Sequence, residues 1–396
     1  MPANNEFQHQ QYPTTPVVKP WFRKLTAETF GEGHFSALHT KHQAARVILV
    51  HGTFVGDDPL GLAEILRTFS AGLPLVASQM RSFADLLEER TKPLTAGLMK
   101  DIGNYTETFR KEFQRLVGPD PAVELLTPSW SSQNHHFARA ELAIRLLAQL
   151  LQRPVPPDQK IVLWGHSHAG NSFAMISNLL ANHKPTVQQF FEACGRPTGE
   201  HWQLVARSLE TSPSPHPLAK QLIAVTFETP VRYGWDTQGL SKLIHVCYHR
   251  VYDQKAPEKA RPMFPPHGFN DMMFAEWGDW VQAFGIAGTD TPTLPSKEFH
   301  DRLAKLLERN LEAPVHGLDT RFIGTQLVRD TCARWKTGTR CHADGLNLLL
   351  DYHPTGLKTP MGWPLEQSLL GHGVSTTEAW LPAHLKVVME ALESLA

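Results

Sequence analysis

Cysteine is scarce in this chain of 396 residues. The four cysteines include no CxxC pair and no spacing of zinc ligands. They are Cys194, Cys247, Cys332 and Cys341. So few thiols in so long a chain exclude a disulfide scaffold and favour a cytoplasmic protein with free cysteines.

The sequence also lacks net charge and long apolar runs. Its formal net charge is −1, so nothing electrostatic attracts nucleic acid or an anionic membrane surface. No stretch approaches the roughly 20 apolar residues of a membrane-spanning helix, and the Asn-, Gln- and Pro-rich start has no apolar core of a Sec-type signal peptide. We therefore predict a flexible arm over residues 1–20, a cytoplasmic location and a small or neutral ligand. Signal-independent export would leave no mark in the sequence.

Short apolar runs separated by amphipathic stretches are what the sequence does contain. Solid apolar runs are typical of strands buried on both faces, and amphipathic stretches are typical of covering helices. The predicted strands are Arg46–Val50, Val123–Leu126, Ile161–Trp164, Leu222–Phe227, Leu243–Tyr248 and Leu346–Tyr352. The main predicted helices run over 136–152, 168–180 and 382–395. The pattern predicts an α/β fold over residues 21–396, with a mostly parallel sheet flanked by helices.

Two segments interrupt this alternation. Residues 56–120 carry several helical patterns and no strand, and residues 253–340 are Pro-rich and then helical. Such insertions usually lie over a site at the strand ends, so the first is interpreted as a helical cap. An extra packing layer that plays no part in access to a site fits the pattern equally well.

The most informative segment is IVLWGHSHAGNSFAMISNLL, residues 161–180. A predicted apolar strand leads directly into a tight turn, GHSHAG, around Ser167, and a predicted helix follows immediately. A serine at such a turn is held above the sheet, and the N–H groups of the following helix can bind a developing oxyanion. The pattern therefore predicts that Ser167 is a nucleophile.

This segment resembles the nucleophile elbow of the α/β-hydrolase superfamily, G-x-S-x-G, with Ala169 in place of the last glycine. The resemblance extends over the core from about residue 46 to 396 and implies the α/β-hydrolase fold with a helical cap insertion. His51-Gly52 then resembles the start of the oxyanion loop. The implied oxyanion donors are the amides of Thr53 or Phe54 together with the amide of His168.

The sequence GHSH also resembles the terminal motif of metallophosphoesterases. The second aspartate of their G-D-x-x-D motif is missing after Asp279, and more than half of the chain follows GHSH. The metal interpretation is therefore rejected, and neither a metal nor another cofactor is expected.

The predicted base is His372. In this superfamily the chain order is serine, acid, histidine, and His372 lies after the last predicted strand and before the last helix. Glycines on both sides allow the loop to reach the serine. His342 and His353, at the two ends of the last strand, are weaker candidates.

The predicted acid is Asp279, whose sequence resembles the G-D-x-V turn that often carries this residue. Asp253 is the alternative, since it lies closer to the end of the preceding strand. Glu228 is a third candidate, in the segment FETPVRYGW, which resembles the G-T-P strand end of esterases and lipases with Glu228 in place of the glycine.

The resemblance implies a lipase- or esterase-like serine hydrolase that cleaves a carboxylic ester through an acyl-enzyme. A helical cap favours a lipid or long-acyl ester and is compatible with peripheral membrane contact. An acyltransferase or thioesterase of the same fold stays open, as does a non-catalytic binding protein. The sequence leaves any protein partner open.

Overall fold

A seven-stranded parallel sheet forms the centre of the protein. The computed structural model describes residues 7–9, 16–53, 103–118, 123–259, 271, 274–276, 278–287, 290–292, 294–307, 340–358, 362 and 364–395. The strands are β1 (Trp21–Leu25), β2 (Ala44–Val50), β3 (Glu124–Leu126), β4 (Lys160–His166), β5 (Leu222–Phe227), β6 (Lys242–Tyr248) and β7 (Leu346–Tyr352). Their order is β1-β7-β6-β5-β4-β2-β3, and every neighbouring pair is parallel. The predicted α/β fold with a parallel sheet is thus confirmed.

The solid apolar runs became strands because both faces of the sheet are covered. Alternate residues of β4 face opposite sides, so that Ile161 and Leu163 join one hydrophobic cluster while Val162 and Trp164 join the other. All six predicted strands are present. Edge strand β1 was missed, because its sequence WFRKL is short and half-exposed and only its pairing with β7 makes it a strand.

Helices cover both faces of the sheet. They are α1 (Ala37–Thr40), α2 (Glu107–Val117), α3 (His136–Gln152), α4 (His168–Ala181), α5 (Lys184–Ala193), α6 (Glu200–Thr211), α7 (Trp280–Ala287), α8 (Lys297–Leu307) and α9 (Leu381–Ser394). Helices α3, α4, α5, α6 and α8 contribute to the cluster of Leu163, and α1, α2 and α9 to that of Trp164. No helix in the described ranges is long and apolar enough to cross a membrane.

Two segments differ from the sequence expectation. Helix α2 lies within the predicted cap, yet Phe113 packs edge-on against Trp164 of β4, with ring centroids 5.3 Å apart, so this helix belongs to the core. In the predicted flexible arm, Phe7 is buried and stacks on Phe190 at 5.6 Å. Apolar burial explains both departures. The remaining cap residues, 56–102 and 119–120, lie outside the described residues, as do 260–270 and 308–339 of the second insertion.

Parallel strands bring the segments that follow them to one edge of the sheet. The residues after β2 begin with His51, Ser167 directly follows β4, and Glu228 directly follows β5. In open α/β sheets this carboxyl edge is where ligands bind. The fold therefore places the candidate site residues at the edge where a site is expected.

Candidate active site

Ser167 occupies a strained turn between β4 and α4. Its backbone has φ 55° and ψ −135°, a left-handed φ that residues other than glycine rarely adopt. The turn is held from the neighbouring strand: the Ser167 amide donates to the Phe227 carbonyl at 2.8 Å, and the Thr229 hydroxyl donates to the Ser167 carbonyl at 2.8 Å. These two hydrogen bonds thus hold the Ser167 backbone in a strained conformation that differs from that of a regular strand.

Small residues make this turn possible. A Cβ added to Gly52 would lie 2.5 Å from Cβ and 3.1 Å from Oγ of Ser167. A Cβ on Gly165 would overlap the ring of Phe173, and one on Gly170 would overlap the side chain of Thr229. Gly170, which follows the alanine that departs from the G-x-S-x-G pattern, is therefore one of three positions here with no room for a side chain.

The amides of Thr53 and His168 flank Ser167. Thr53 follows Gly52, which touches the serine, and His168 is the first residue of α4, where amides have no partner within the helix. Among the described residues neither amide donates a hydrogen bond, so both are free to bind an oxyanion. The Trp130 indole donates to the His51 carbonyl at 3.1 Å and fixes this loop. Phe54 lies outside the described residues.

His372 and Asp279 form a buried pair. The His372 Nδ1 donates to Oδ2 of Asp279 at 2.5 Å, and both side chains are nearly or wholly buried. The second oxygen of Asp279 accepts from the Gln282 amide at 2.9 Å, in the first turn of α7. Because a carboxylate accepts hydrogen bonds, Nδ1 of His372 carries the proton and Nε2 is left as the basic nitrogen.

The loop that carries His372 lies against the end of β4. The ring of His166 packs on the ring of His372 with centroids 4.4 Å apart, and its Nε2 donates to the His372 carbonyl at 2.9 Å. Among the described contacts the Ser167 hydroxyl makes no hydrogen bond to the His372 ring. Catalytic hydrogen bonds are often long without substrate and tighten when it binds.

The other candidate acid and bases serve elsewhere. Asp253 accepts from the Lys255 amide at 2.9 Å and closes a turn. His342 stacks on His245 at 3.9 Å inside the core, and His353 is exposed at the end of β7. In the described residues, none of the three side chains is bonded to Asp279 or His372.

Glu228 is buried beside this pair. It has φ 48°, accepts from the hydroxyl of Ser375, and has one oxygen 3.4 Å from Nε2 of His166. Burial first, and then the charge of Asp279, raise the pKa of Glu228 well above its ordinary value, with the Ser375 hydrogen bond opposing. A neutral carboxyl group is therefore favoured at this position.

Three of these residues could alternatively be interpreted as a set of metal ligands. Nitrogen and oxygen atoms of His166, Glu228 and His372 lie within 4.8 Å of one another. Yet the His166 Nε2 proton is used on the His372 carbonyl and the His372 Nδ1 proton on Asp279. Oε2 of Glu228 accepts from the Ser375 hydroxyl, so each of the three residues has a hydrogen-bond partner within the protein, and we interpret them as a polar framework around His372.

A buried charged cluster beside His168 was missed at the sequence level. Asp290 bridges Arg139 at 2.6 Å and Arg232 at 2.8 Å, and Arg139 Nη2 lies 3.5 Å from Nε2 of His168. Burial alone would raise the pKa of Asp290, but the two guanidinium charges outweigh it and hold that pKa well below its usual value. Burial, and then Arg139, lower the pKa of His168 and keep its ring neutral. The signal in the sequence was Arg139 itself, a charge on the apolar face of α3 three residues before Leu142.

No family model, curated protein or solved structure matches this chain.

Proposed function

We propose that the protein is a serine hydrolase of the α/β-hydrolase kind, which cleaves a carboxylic ester through an acyl-enzyme. The observation that carries the proposal is the strained backbone of Ser167, at φ 55°, on a turn between a buried strand and a helix N-terminus. Strain of this kind persists where the surrounding structure enforces it, and it clusters at functional sites. The buried His372–Asp279 pair beside the same strand end supplies a base with a fixed tautomer.

Each residue has a defined part in the proposed reaction. The Ser167 oxygen attacks the ester carbonyl carbon while Nε2 of His372 accepts the hydroxyl proton. The resulting oxyanion is bound by the amides of His168 and Thr53, and removal of one such donor typically costs about 3–4 kcal/mol of transition-state stabilisation. The imidazolium then returns its proton to the departing alcohol. Water, activated by the same histidine, releases the acid and regenerates the serine.

Asp279 keeps the base ready for this cycle. Its hydrogen bond holds the His372 ring with Nδ1 protonated, and its charge stabilises the imidazolium as it forms. The amide of Gln282, at the start of α7, fixes the other carboxylate oxygen. The aspartate therefore orients and stabilises without itself taking a proton.

The substrate class that we propose is a small-molecule or lipid ester. The near-zero net charge gives no support for a polyanionic substrate, and residues 56–102 carry helical patterns typical of a cap over an acyl chain. The site chemistry needs no cofactor. Peripheral contact with a lipid surface is part of the lipase version of this proposal.

A fluorophosphonate probe tests the proposal directly, because it bonds to activated serines. Intact-mass analysis of the native protein should show one adduct, and Ser167→Ala should show none. The heat-unfolded wild type is the matched control, since the same serine without its base should not react. A panel of p-nitrophenyl esters from acetate to laurate then measures the acyl preference. Absence of an adduct on native protein, repeated with detergent present, would refute the proposal.

A further inference from the structure

Glu228 occupies a position that is unfavourable for a glutamate in two respects. Its φ of 48° lies in the left-handed region, which is favoured by glycine. Its side chain is fully buried, and its Oε1 has no hydrogen-bond partner among the described residues. A glycine would relieve the backbone strain and would bury no carboxyl group. A residue that is unfavourable on both counts indicates a functional role rather than a packing role.

The contacts of Glu228 join the two segments that meet in the active site. The hydroxyl of Ser375, three residues after His372, donates to Oε2 of Glu228. The same oxygen lies 3.4 Å from Nε2 of His166, one residue before Ser167. Glu228 therefore contacts both the loop of the base and the strand of the nucleophile.

The contacts of His166 with His372, together with those of Glu228 with Ser375 and His166, form a set that we call the bracket. Its Nε2 proton is donated to the His372 carbonyl at 2.9 Å, and its ring lies against the His372 ring. The Gly103 amide donates to Thr376 Oγ1 at 3.0 Å and holds the far side of the same loop. The backbone of the loop that carries His372 is thus fixed by two side chains: His166, at the end of β4, and Glu228, which directly follows β5.

We propose that Glu228 is a positioning residue: from the strand beside the nucleophile strand, it holds the histidine loop through Ser375 and His166 so that His372 faces Ser167. The inference deepens the proposed hydrolase function and rests on it. Glu228 acts here through its oxygen as an acceptor, so its side-chain amide counterpart should serve nearly as well.

Two variants and a matched control test this role. Glu228→Gly removes the bracket and the backbone strain together, whereas Glu228→Gln retains an acceptor oxygen for Ser375. Gln43→Gly is the control, since Gln43 has nearly the same left-handed φ, 58°, at an exposed turn away from the site. The readouts are kcat and KM with p-nitrophenyl butyrate, the rate of fluorophosphonate labelling, and the thermal unfolding midpoint.

We expect Glu228→Gly to lower kcat and the labelling rate about 10- to 100-fold, because a misplacement of about 1 Å has effects of this size. Its KM should stay within about twofold, and it should unfold at no lower temperature than the wild type. Glu228→Gln should keep at least about one third of the wild-type kcat, and Gln43→Gly all of it.

Three outcomes would overturn the inference. Glu228→Gly with wild-type kcat would show that the bracket is dispensable. Parallel losses of activity and of the unfolding midpoint would indicate a structural role, and a Glu228→Gln variant as inactive as Glu228→Gly would show that the negative charge is what matters. Failure of the hydrolase proposal is distinguishable from all three, because the wild type itself would then remain unlabelled.

Discussion

Replacing Gly52 by alanine should slow the proposed reaction of Ser167 without unfolding the protein. The new methyl carbon would lie 2.5 Å from Cβ and 3.1 Å from Oγ of Ser167. Carbon atoms in contact prefer separations of about 3.5–4.0 Å, so the two backbones must separate by about 1–1.5 Å. The separation takes place between the loop that carries the Thr53 amide, the proposed oxyanion donor, and Ser167, the proposed nucleophile.

The geometry sets the size of the effect. A misplacement of about 1 Å between reacting groups costs about 100-fold in rate, or about 2.7 kcal/mol in the barrier. Overpacking of this kind costs about 1–3 kcal/mol in the free energy of unfolding, which a domain of ordinary stability survives. We therefore expect Gly52→Ala to be folded and to react with a fluorophosphonate about 100-fold more slowly than the wild type.

Labelling rates from intact-mass spectra, measured beside urea unfolding curves, separate activity from stability. Gly31→Ala is the matched control, because a Cβ at Gly31 meets no atom within 4 Å. This variant should label at the wild-type rate. A folded Gly52→Ala protein that labels within about threefold of the wild type would refute the close approach of the oxyanion loop to Ser167 and the reasoning built on it.

Three further changes have defined outcomes. Asp279→Asn should lower kcat about 10³- to 10⁴-fold, because the amide favours the wrong tautomer of His372, whereas Asp253→Asn should keep wild-type kcat on the same ester. Asp290→Asn should lower the free energy of unfolding in urea by about 3–5 kcal/mol, because two buried guanidinium groups lose the carboxylate that they share. Burial raises the pKa of Glu228 above 4.5, so the unfolded wild type binds fewer protons than the native wild type and its stability falls as pH rises. Glu228→Gln should therefore gain stability relative to the wild type as pH rises from 5 to 9.

Each of these has a contrary result. Equal kcat losses in the Asp279 and Asp253 variants would contradict the assignment of the acid. An Asp290→Asn protein as stable as the wild type would show that its partners are balanced by other groups. A stability difference between Glu228→Gln and the wild type that is the same at pH 5 and pH 9 would contradict the raised pKa.

Local pattern was sufficient for the sheet and for the turn at Ser167. A strand buried on both faces must be apolar at nearly every position, which made β5 and β7 readable to the residue. The turn at Ser167 is specified within about ten residues by the strand before it, the small residues around it and the helix after it. Edge strand β1 was not predicted, because an edge strand needs no uninterrupted apolar run. Its strand conformation depends on pairing with β7.

The proposed partners of Ser167 depended on tertiary structure. Asp279 and Asp253 are both turn aspartates in the sequence, and only the packing of α7 against the histidine loop brings Asp279 to His372, across 93 residues of chain. The bracket of Glu228 and the Arg139–Asp290 cluster likewise join segments with no sequence signal of their pairing. The physical reason is that apolar periodicity and turn geometry are local properties, whereas the partner of a buried polar group is set by whichever distant segment satisfies its hydrogen bonds.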